Sequence, residues 1–129
     1  MCKYLLSATL FFFLLVSSAL AAQVRDISPA EARELMGATP APFLLDVRTP
    51  GEFMQVRIAG AKLIPIDQLI ARLGEIPQNR PLLIYCAVGS RSSQVAGYLA
   101  QKGYAEVYNM SGGIMGWQVR GYPVLQGAP

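Results

Sequence analysis

The stretch that decides the fold is "LLIYCAVGSRSSQVAGYLAQKG", residues 82–103. Its first four residues are apolar and stop at Cys86, and four small or uncharged residues separate that cysteine from Arg91. A short apolar run bounded by turn-forming residues is typical of a buried strand. The residues after Arg91 have apolar side chains at helical spacing, so we expect a strand, a tight loop and a helix over 91–102.

The same alternation runs along the rest of the chain. Five apolar runs are interpreted as strands: 24–27, 43–47, 61–66, 81–86 and 105–110. Helical patterns follow each run: 29–36, a short helix from residue 50, 67–73, 91–102 and 114–120. Strands that alternate with helices through short links predict an α/β domain with a parallel sheet covered by helices on both faces.

Two of these helices have strong start signals. Ser28-Pro29-Ala30-Glu31 and Thr49-Pro50-Gly51-Glu52 each place a hydroxyl residue before a proline, with glutamate three residues after the hydroxyl. In such a capping box, the hydroxyl and the glutamate each accept a hydrogen bond from a backbone N–H at the helix start. We therefore expect the first two helices to begin at Pro29 and Pro50.

The N-terminal residues have the pattern of a secretory signal peptide. A charged start containing Lys3 precedes an uncharged segment from Tyr4 to Ala22, and Ala19-Leu20-Ala21 has the small-x-small spacing of a cleavage site. We expect cleavage after Ala21, which leaves a domain of residues 22–129 in the periplasm or outside the cell, without stable membrane association. The alternative is an uncleaved membrane anchor, because nineteen uncharged residues are just long enough to span a bilayer.

Composition excludes several classes of function. The chain has no histidine, which removes Ser-His-Asp and Cys-His catalysis and most zinc sites. The net charge is +3, and the basic residues are scattered singly, so we expect no nucleic-acid partner. We expect no metal and no organic cofactor.

Cys86 is the only cysteine after residue 21, so the processed chain cannot form an internal disulfide. A lone cysteine in an exported protein is either a reactive thiol or an inert buried side chain. Cys86 lies where a strand ends and a helix begins. The free N–H groups of that helix, with the backbone of Ala87, Val88, Gly89 and Ser90, surround the sulfur and favour its thiolate.

The arginine and serines after the cysteine have two interpretations each. Arg91 either binds an oxyanion of the substrate or forms a structural ion pair, with Glu52 or Asp46 as candidate partners. Ser90 could donate to substrate oxygens. Ser92 and Ser93 could do the same, although their position in the first helical turn favours bonds to backbone groups.

At this point the sequence resembles the single-domain rhodaneses. Cys86-Ala87-Val88-Gly89-Ser90-Arg91 is similar to their active loop, Cys-x-x-Gly-x-Arg. Three further segments resemble the family in the same order: "LLDVRTPGEF" (44–53), "IAGAKLIP" (58–65) and "MSGGIMGW" (110–117). The family commonly has Gly-His-Ile where this chain has Val56-Arg57-Ile58, so packing and surface charge near the site are expected to differ.

The resemblance implies a five-stranded parallel sheet and sulfane-sulfur transfer. The Cys86 thiolate would attack a small anionic donor such as thiosulfate, or a persulfide, and a thiol or cyanide would then accept the sulfur. The substrate-binding residues would be Ala87, Val88, Gly89, Ser90 and Arg91. We interpret Asp46, Arg48 and Glu52 as scaffold, with an ion pair between Arg48 and Glu52.

Two other functions remain open. Cysteine phosphatases and arsenate reductases also place cysteine and arginine on a strand–loop–helix, but with five residues between them, whereas this chain has four. A rhodanese-like domain without turnover would serve as a persulfide carrier or an interaction module.

Overall fold

The computed structural model describes residues 23–129. The predicted signal peptide, residues 1–21, lies outside the described residues. Five strands are present: β1 (Val24–Ile27), β2 (Phe43–Asp46), β3 (Lys62–Leu63), β4 (Leu82–Tyr85) and β5 (Val107–Met110). Four α-helices accompany them: α1 (Pro29–Met36), α2 (Pro50–Gln55), α3 (Ser90–Gln101) and α4 (Gly113–Val119).

All five strands form one parallel sheet in the order β1-β5-β4-β2-β3. Strand β4 is central, and its Leu82–Tyr85 pair in register with Phe43–Asp46 of β2. All four of its side chains are buried, which explains why the segment reads as an unbroken apolar run. The predicted five-stranded α/β fold is confirmed.

The core is divided between the two faces of the sheet. One face packs against α3, through Val95, Ala96 and Leu99. The other packs against α1 and α4, through Ala32, Ile114 and Trp117. The expectation of helices on both faces is therefore confirmed.

Both predicted capping boxes form. The Ser28 and Thr49 hydroxyls accept from the backbone N–H groups of Glu31 and Glu52, and each glutamate accepts in return from the backbone N–H of its capping residue. Helices α1 and α2 begin at their prolines, as the sequence predicts.

The segment after β2 differs from its prediction. The expected strand 61–66 is reduced to two paired residues, and the expected helix 67–73 is replaced by two 3₁₀ segments, Ile66–Gln68 and Ile70–Glu75. The backbone breaks helical geometry at Arg72, whose guanidinium bonds to Glu75 and to the Leu63 carbonyl. The turns bring Leu69 and Leu73 to the core but leave Ile70 72% exposed, so the pattern identified two of the three apolar residues as core and did not identify the type of helix.

Arg57, which replaces the usual family histidine, is buried and does not contribute surface charge. Its guanidinium donates to the carbonyls of Phe53 and Gly127, and its backbone pairs with Leu125. The substitution therefore fixes the C-terminal segment against α2.

Within residues 23–129, no helix is both long and apolar enough to cross a membrane.

Candidate active site

The candidate site lies at the carboxyl end of the central strand. Cys86 directly follows β4, and α3 begins four residues later at Ser90. In parallel α/β sheets, this edge is where ligands bind, because loops and helix N-termini meet there. The Cys86 side chain is fully buried beneath the loop that connects the two elements.

Three hydrogen-bond donors converge on the Cys86 sulfur. The backbone N–H of Gly89 lies 3.1 Å from Sγ, and the backbone N–H of Ser92 lies 3.4 Å away. The Ser92 hydroxyl lies 3.3 Å from the same sulfur. All three stabilise negative charge at that atom, because a thiolate accepts hydrogen bonds more strongly than a thiol does.

These contacts control the acidity of the thiol. Burial alone raises the pKa of Cys86, but hydrogen bonds from Ser92, Gly89 and Val88 outweigh it, and the net pKa lies below the ordinary value. A buried cysteine in apolar surroundings has the opposite shift and is inert. The geometry therefore favours a reactive thiolate over an inert core cysteine.

The loop takes its shape from Gly89. This residue has φ 107°, a left-handed conformation that residues with a Cβ rarely adopt, and it caps α3. The turn directs the Gly89 N–H at the sulfur. Of the other predicted loop residues, Ala87 is partly exposed, while the side chains of Val88 and Ser90 face solvent.

Helix α4 holds the loop from the other side. The backbone N–H groups of Ile114 and Met115 donate to the carbonyls of Cys86 and Ala87 at 2.9 and 3.1 Å. Gly113 makes this approach possible, since a Cβ there would lie 2.4 Å from the Ala87 carbonyl carbon. With its carbonyls bound by α4, the loop keeps its own N–H groups free to face the sulfur.

Arg91 is paired with Glu52. Its Nη1 and Nη2 atoms donate to the two carboxylate oxygens at 2.8 and 2.9 Å, with both side chains about one-third exposed. Hydrogen bonding from Arg91 lowers the pKa of Glu52 to about 2. Of the two partners proposed from the sequence, Glu52 makes the contact, and the pair ties α2 to the first turn of α3.

The prediction of an ion pair between Arg48 and Glu52 is wrong. Arg48 pairs instead with Asp46 at 2.7 Å, buried beside Tyr85, and reaches only the backbone carbonyl of Glu52. Asp46 is a stronger partner because it is fully buried and also accepts from the Arg48 backbone N–H. The Glu52 carboxylate is therefore available to Arg91. We keep the interpretation of Asp46, Arg48 and Glu52 as structural residues.

Sequence reasoning missed the contact between Ser92 and the sulfur. The expectation that Ser92 bonds to first-turn backbone is confirmed by its 3.2 Å contact with the Gly89 carbonyl. The same hydroxyl lies within reach of Sγ, and its single proton can point to that sulfur or to the Gly89 carbonyl. The contact with Sγ depends on how the loop folds back over the cysteine. The only signal in the sequence is a hydroxyl residue in the first turn of a helix that starts beside a cysteine.

Replacing Ser92 with alanine is expected to raise the pKa of Cys86, because the thiolate loses its hydroxyl donor. A hydrogen bond to a charged group is worth about 1.5–3 kcal/mol, partly offset by the higher intrinsic nucleophilicity of a less acidic thiol. Alkylation by iodoacetamide at pH 7 should slow roughly three- to tenfold, with its pH profile moved to higher pH. Ser93→Ala, in the same turn but exposed, is the control, and an unchanged profile in Ser92→Ala would contradict this role.

Taken together, the fold and the site define an α/β domain with a buried cysteine thiol held at the junction of a central strand and a helix. Within residues 23–129, no three side chains of the metal-binding types are grouped closely enough to hold a metal ion.

Comparison with known proteins identifies the family. Residues 28–120 match the rhodanese-like domain family, so the chain belongs to that family. It is 37% identical over 102 residues to a sulfurtransferase of Allochromatium vinosum, covering 79% of this chain and 95% of that protein. It is 30% identical over 96 residues to the thiosulfate sulfurtransferase GlpE of Ectopseudomonas mendocina, covering 74% of this chain and 86% of that protein.

A solved structure supports the same conclusion. The rhodanese-related protein of Thermoplasma volcanium superposes with a TM-score of 0.72 at 34% identity, covering 78% of this chain and 97% of that structure. The chain is therefore a rhodanese-like domain with sulfurtransferase homologues, as the motifs of the sequence imply.

Proposed function

We propose that this protein transfers sulfane sulfur from thiosulfate or a persulfide to cyanide or a thiol, through a persulfide on Cys86. The observation that carries the proposal is the convergence of three donors on a single buried sulfur whose pKa lies below its ordinary value. Such a site raises the thiolate fraction of Cys86 above that of an ordinary cysteine and stabilises an anionic sulfur chain attached to it.

The reaction has two half-reactions. In the first, the Cys86 thiolate attacks the outer sulfur of thiosulfate, the S–S bond of thiosulfate breaks, and sulfite leaves with the electron pair. In the second, cyanide attacks the outer sulfur of the Cys86 persulfide, and thiocyanate leaves while the thiolate is restored. Donor and acceptor never need to be bound together, so ping-pong kinetics are expected.

The loop residues have distinct parts in this proposal. The three donors, which are the backbone N–H groups of Gly89 and Ser92 and the Ser92 hydroxyl, stabilise the charge that returns to Sγ as the outer sulfur is transferred. The nearby backbone N–H of Val88 also favours that charge. Ala87 and Ser90 border the space that the substrate enters. The outer sulfur of the persulfide lies about 2 Å beyond Sγ, which is the length of an S–S bond.

We assign Arg91 a structural part, because both of its terminal nitrogens already bond to Glu52. Arg91→Ala is expected to lower the melting temperature by a few degrees, since a partly exposed ion pair contributes at most about 1 kcal/mol. The KM for thiosulfate should stay within about twofold of the wild-type value. A tenfold rise in KM without loss of stability would instead assign Arg91 to substrate binding.

The test of the proposed function is a comparison of two substrates. A loop with four residues between cysteine and arginine forms a tighter ring of donors than the five-residue spacing of cysteine phosphatases. Donors must lie within about 3 Å of the developing charge, so a tetrahedral phosphoryl group is expected to react on the order of a thousandfold more slowly. We expect turnover with thiosulfate and cyanide and almost none with para-nitrophenyl phosphate. Ready hydrolysis of the phosphate ester without thiocyanate formation would contradict the proposal, and persulfide loading without turnover would indicate a carrier.

We also propose that the protein is exported and works in the periplasm or outside the cell. The proposal rests on the apolar segment of residues 4–22 and the Ala19-Leu20-Ala21 site. N-terminal sequencing of protein from the periplasmic fraction should begin at Ala22. Recovery of the intact N-terminus in the membrane fraction would favour the anchor instead.

A further inference from the structure

The ion pair between Arg91 and Glu52 places a positive and a negative charge at the edge of the Cys86 loop. Arg91 lies in the first turn of α3, directly after the loop, and Glu52 reaches it from the first turn of α2. Hydrogen bonds of 2.8 and 2.9 Å join the guanidinium to the two carboxylate oxygens. Both side chains are about one-third exposed, so the pair is open to solvent beside the loop.

Both members of the pair are ionised, and their charges offset each other. Hydrogen bonding from Arg91 lowers the pKa of Glu52 to about 2, and hydrogen bonding to Glu52 raises the pKa of the Arg91 guanidinium. Negative charge on Cys86 also raises the pKa of Arg91, so the guanidinium lies within electrostatic range of the sulfur. Arg91 therefore has the position of an anion-binding group but is held in a pair without net charge.

The charge of Arg91 matters most for a substrate with two negative charges. The three donors around Cys86 are dipoles that act on the sulfur from 3.1 to 3.4 Å. A full charge acts over a longer range, and its energy is proportional to the charge of the ion that it attracts. The carboxylate that offsets Arg91 therefore reduces the attraction for a dianion more than the attraction for a monoanion.

We propose that Glu52 determines donor specificity: by pairing with Arg91, it limits the preference of the site for dianionic donors, so that singly charged sulfane-sulfur donors compete with thiosulfate. The anion of an organic persulfide is a donor of this class. The inference rests on the proposed function, since it concerns the donor of the first half-reaction. Thiosulfate still binds at the donors around Sγ, and Glu52 removes only the additional attraction that an unpaired guanidinium would give to its second charge.

The experiment compares two donors that differ by one charge. In methanethiosulfonate, a methyl group replaces one anionic oxygen of thiosulfate, and the outer sulfur is retained. The Cys86 thiolate attacks that outer sulfur, the S–S bond of the donor breaks, and sulfite or methanesulfinate leaves with the electron pair. Both donors therefore give the same Cys86 persulfide without an added oxidant or reductant. The measured quantity is the ratio of kcat/KM for thiosulfate to kcat/KM for methanethiosulfonate, with cyanide as acceptor.

Glu52→Gln removes the negative charge and preserves the start of α2. Glutamine serves in a capping box as glutamate does, so the hydrogen bond from the Thr49 backbone N–H is retained. The amide nitrogen of glutamine cannot accept from Arg91, so at most one of the two hydrogen bonds of the pair remains. We expect the ratio to rise about threefold to tenfold, because the released guanidinium forms a charge-assisted contact that solvent partly screens. The rise should become smaller as the salt concentration increases.

Two further variants assign the effect to the pair. Glu31→Gln is the matched control, since Glu31 has the same position in the α1 capping box and forms no ion pair among residues 23–129. It loses the same charge and should leave the ratio unchanged. Glu52→Gln/Arg91→Ala removes both charges, and its ratio should return to the wild-type value. Because the ratio is taken within one variant, a change in Cys86 acidity or in the active fraction affects both donors and cancels.

The outcomes separate the inference from the proposed function. If neither donor adds sulfur to wild-type Cys86, the proposed function is wrong and the inference falls with it. If sulfur is added but the ratio in Glu52→Gln is equal to the wild-type ratio or below it, the inference alone is wrong. An equal rise in Glu31→Gln, or a rise that persists in the double variant, would also overturn the assignment to the pair of Glu52 and Arg91.

Discussion

Cys86→Ser is expected to abolish persulfide formation and thiosulfate–cyanide turnover completely. Serine has a hydroxyl in place of the thiol, and a hydroxyl does not ionise at neutral pH without a base such as histidine, which this chain does not contain. Removal of an essential nucleophile costs on the order of 10⁶-fold in enzymes that use one, which reduces turnover below detection. Activity is measured by thiocyanate formation and by intact mass after thiosulfate treatment.

The fold should survive this change. Serine is close to cysteine in size, and its oxygen can still accept from the Gly89 and Ser92 donors that now bond to sulfur. The melting temperature should therefore change by only a few degrees. Cys2→Ser in the full chain is the matched control, and it should retain full loading. Sulfur uptake that persists in Cys86→Ser but disappears in Cys2→Ser would contradict the assignment of the nucleophile.

Gly113→Ala is expected to have the second-largest effect, although residue 113 lies in α4 and not in the Cys86 loop. A Cβ at this position would lie 2.4 Å from the carbonyl carbon and oxygen of Ala87 and 2.6 Å from the carbonyl oxygen of Cys86. These are backbone atoms of the active loop, so either the loop or α4 must shift. A displacement of about 1 Å at a reacting group can cost roughly a hundredfold in rate. We expect kcat to fall by about that factor.

A matched control separates the displaced loop from ordinary backbone strain. Gly113 has φ 58° and Gly121 has φ 72°, but a Cβ at Gly121 would meet no atom within 4 Å. Gly121→Ala therefore places alanine in a left-handed backbone conformation, which costs about 1–2 kcal/mol, but makes no contact with the Cys86 loop. It should lose stability and keep its activity. Equal activities in the two variants would show that α4 does not position the loop.

The sequence predicted the parts of the fold that depend on local chemistry. The capping boxes at Ser28 and Thr49 placed the starts of α1 and α2 correctly, because their hydrogen bonds form within four residues of chain. The apolar run that ends at Cys86 predicted the buried central strand for the same reason. A single stretch therefore located both the centre of the sheet and the candidate nucleophile.

The parts that the sequence did not settle depend on how the segments pack against one another. Nothing local distinguishes Asp46 from Glu52 as the partner of Arg48, and the choice follows from which carboxylate the sheet buries. Glu52 was one of two candidate partners of Arg91 in the sequence, and the fold selects it by bringing together residues 39 apart in the chain. The 3₁₀ segments replaced a regular helix for a similar reason, since their backbone follows the packing of their apolar residues beside the short edge strand.

The contact between α4 and the Cys86 loop could not be predicted from the sequence motif alone. The Gly112-Gly113 turn was identified in the sequence only as part of a resemblance and as the start of a helix. The structure shows why glycine is needed there: the helix start approaches the backbone of the active loop and donates to two of its carbonyls. That contact joins the segments that follow β4 and β5, two strands that are neighbours in the sheet but not in the sequence.

The central claim is that Cys86 accepts sulfur as a persulfide, and intact mass spectrometry tests it most directly. The intact mass of the purified protein is measured before thiosulfate treatment, after treatment and desalting, and again after addition of cyanide. The account predicts a gain of one sulfur atom per chain that cyanide removes, with thiocyanate appearing in equal amount. An unchanged mass after thiosulfate and after a persulfide donor, with Cys86 still reactive towards iodoacetamide, would contradict it.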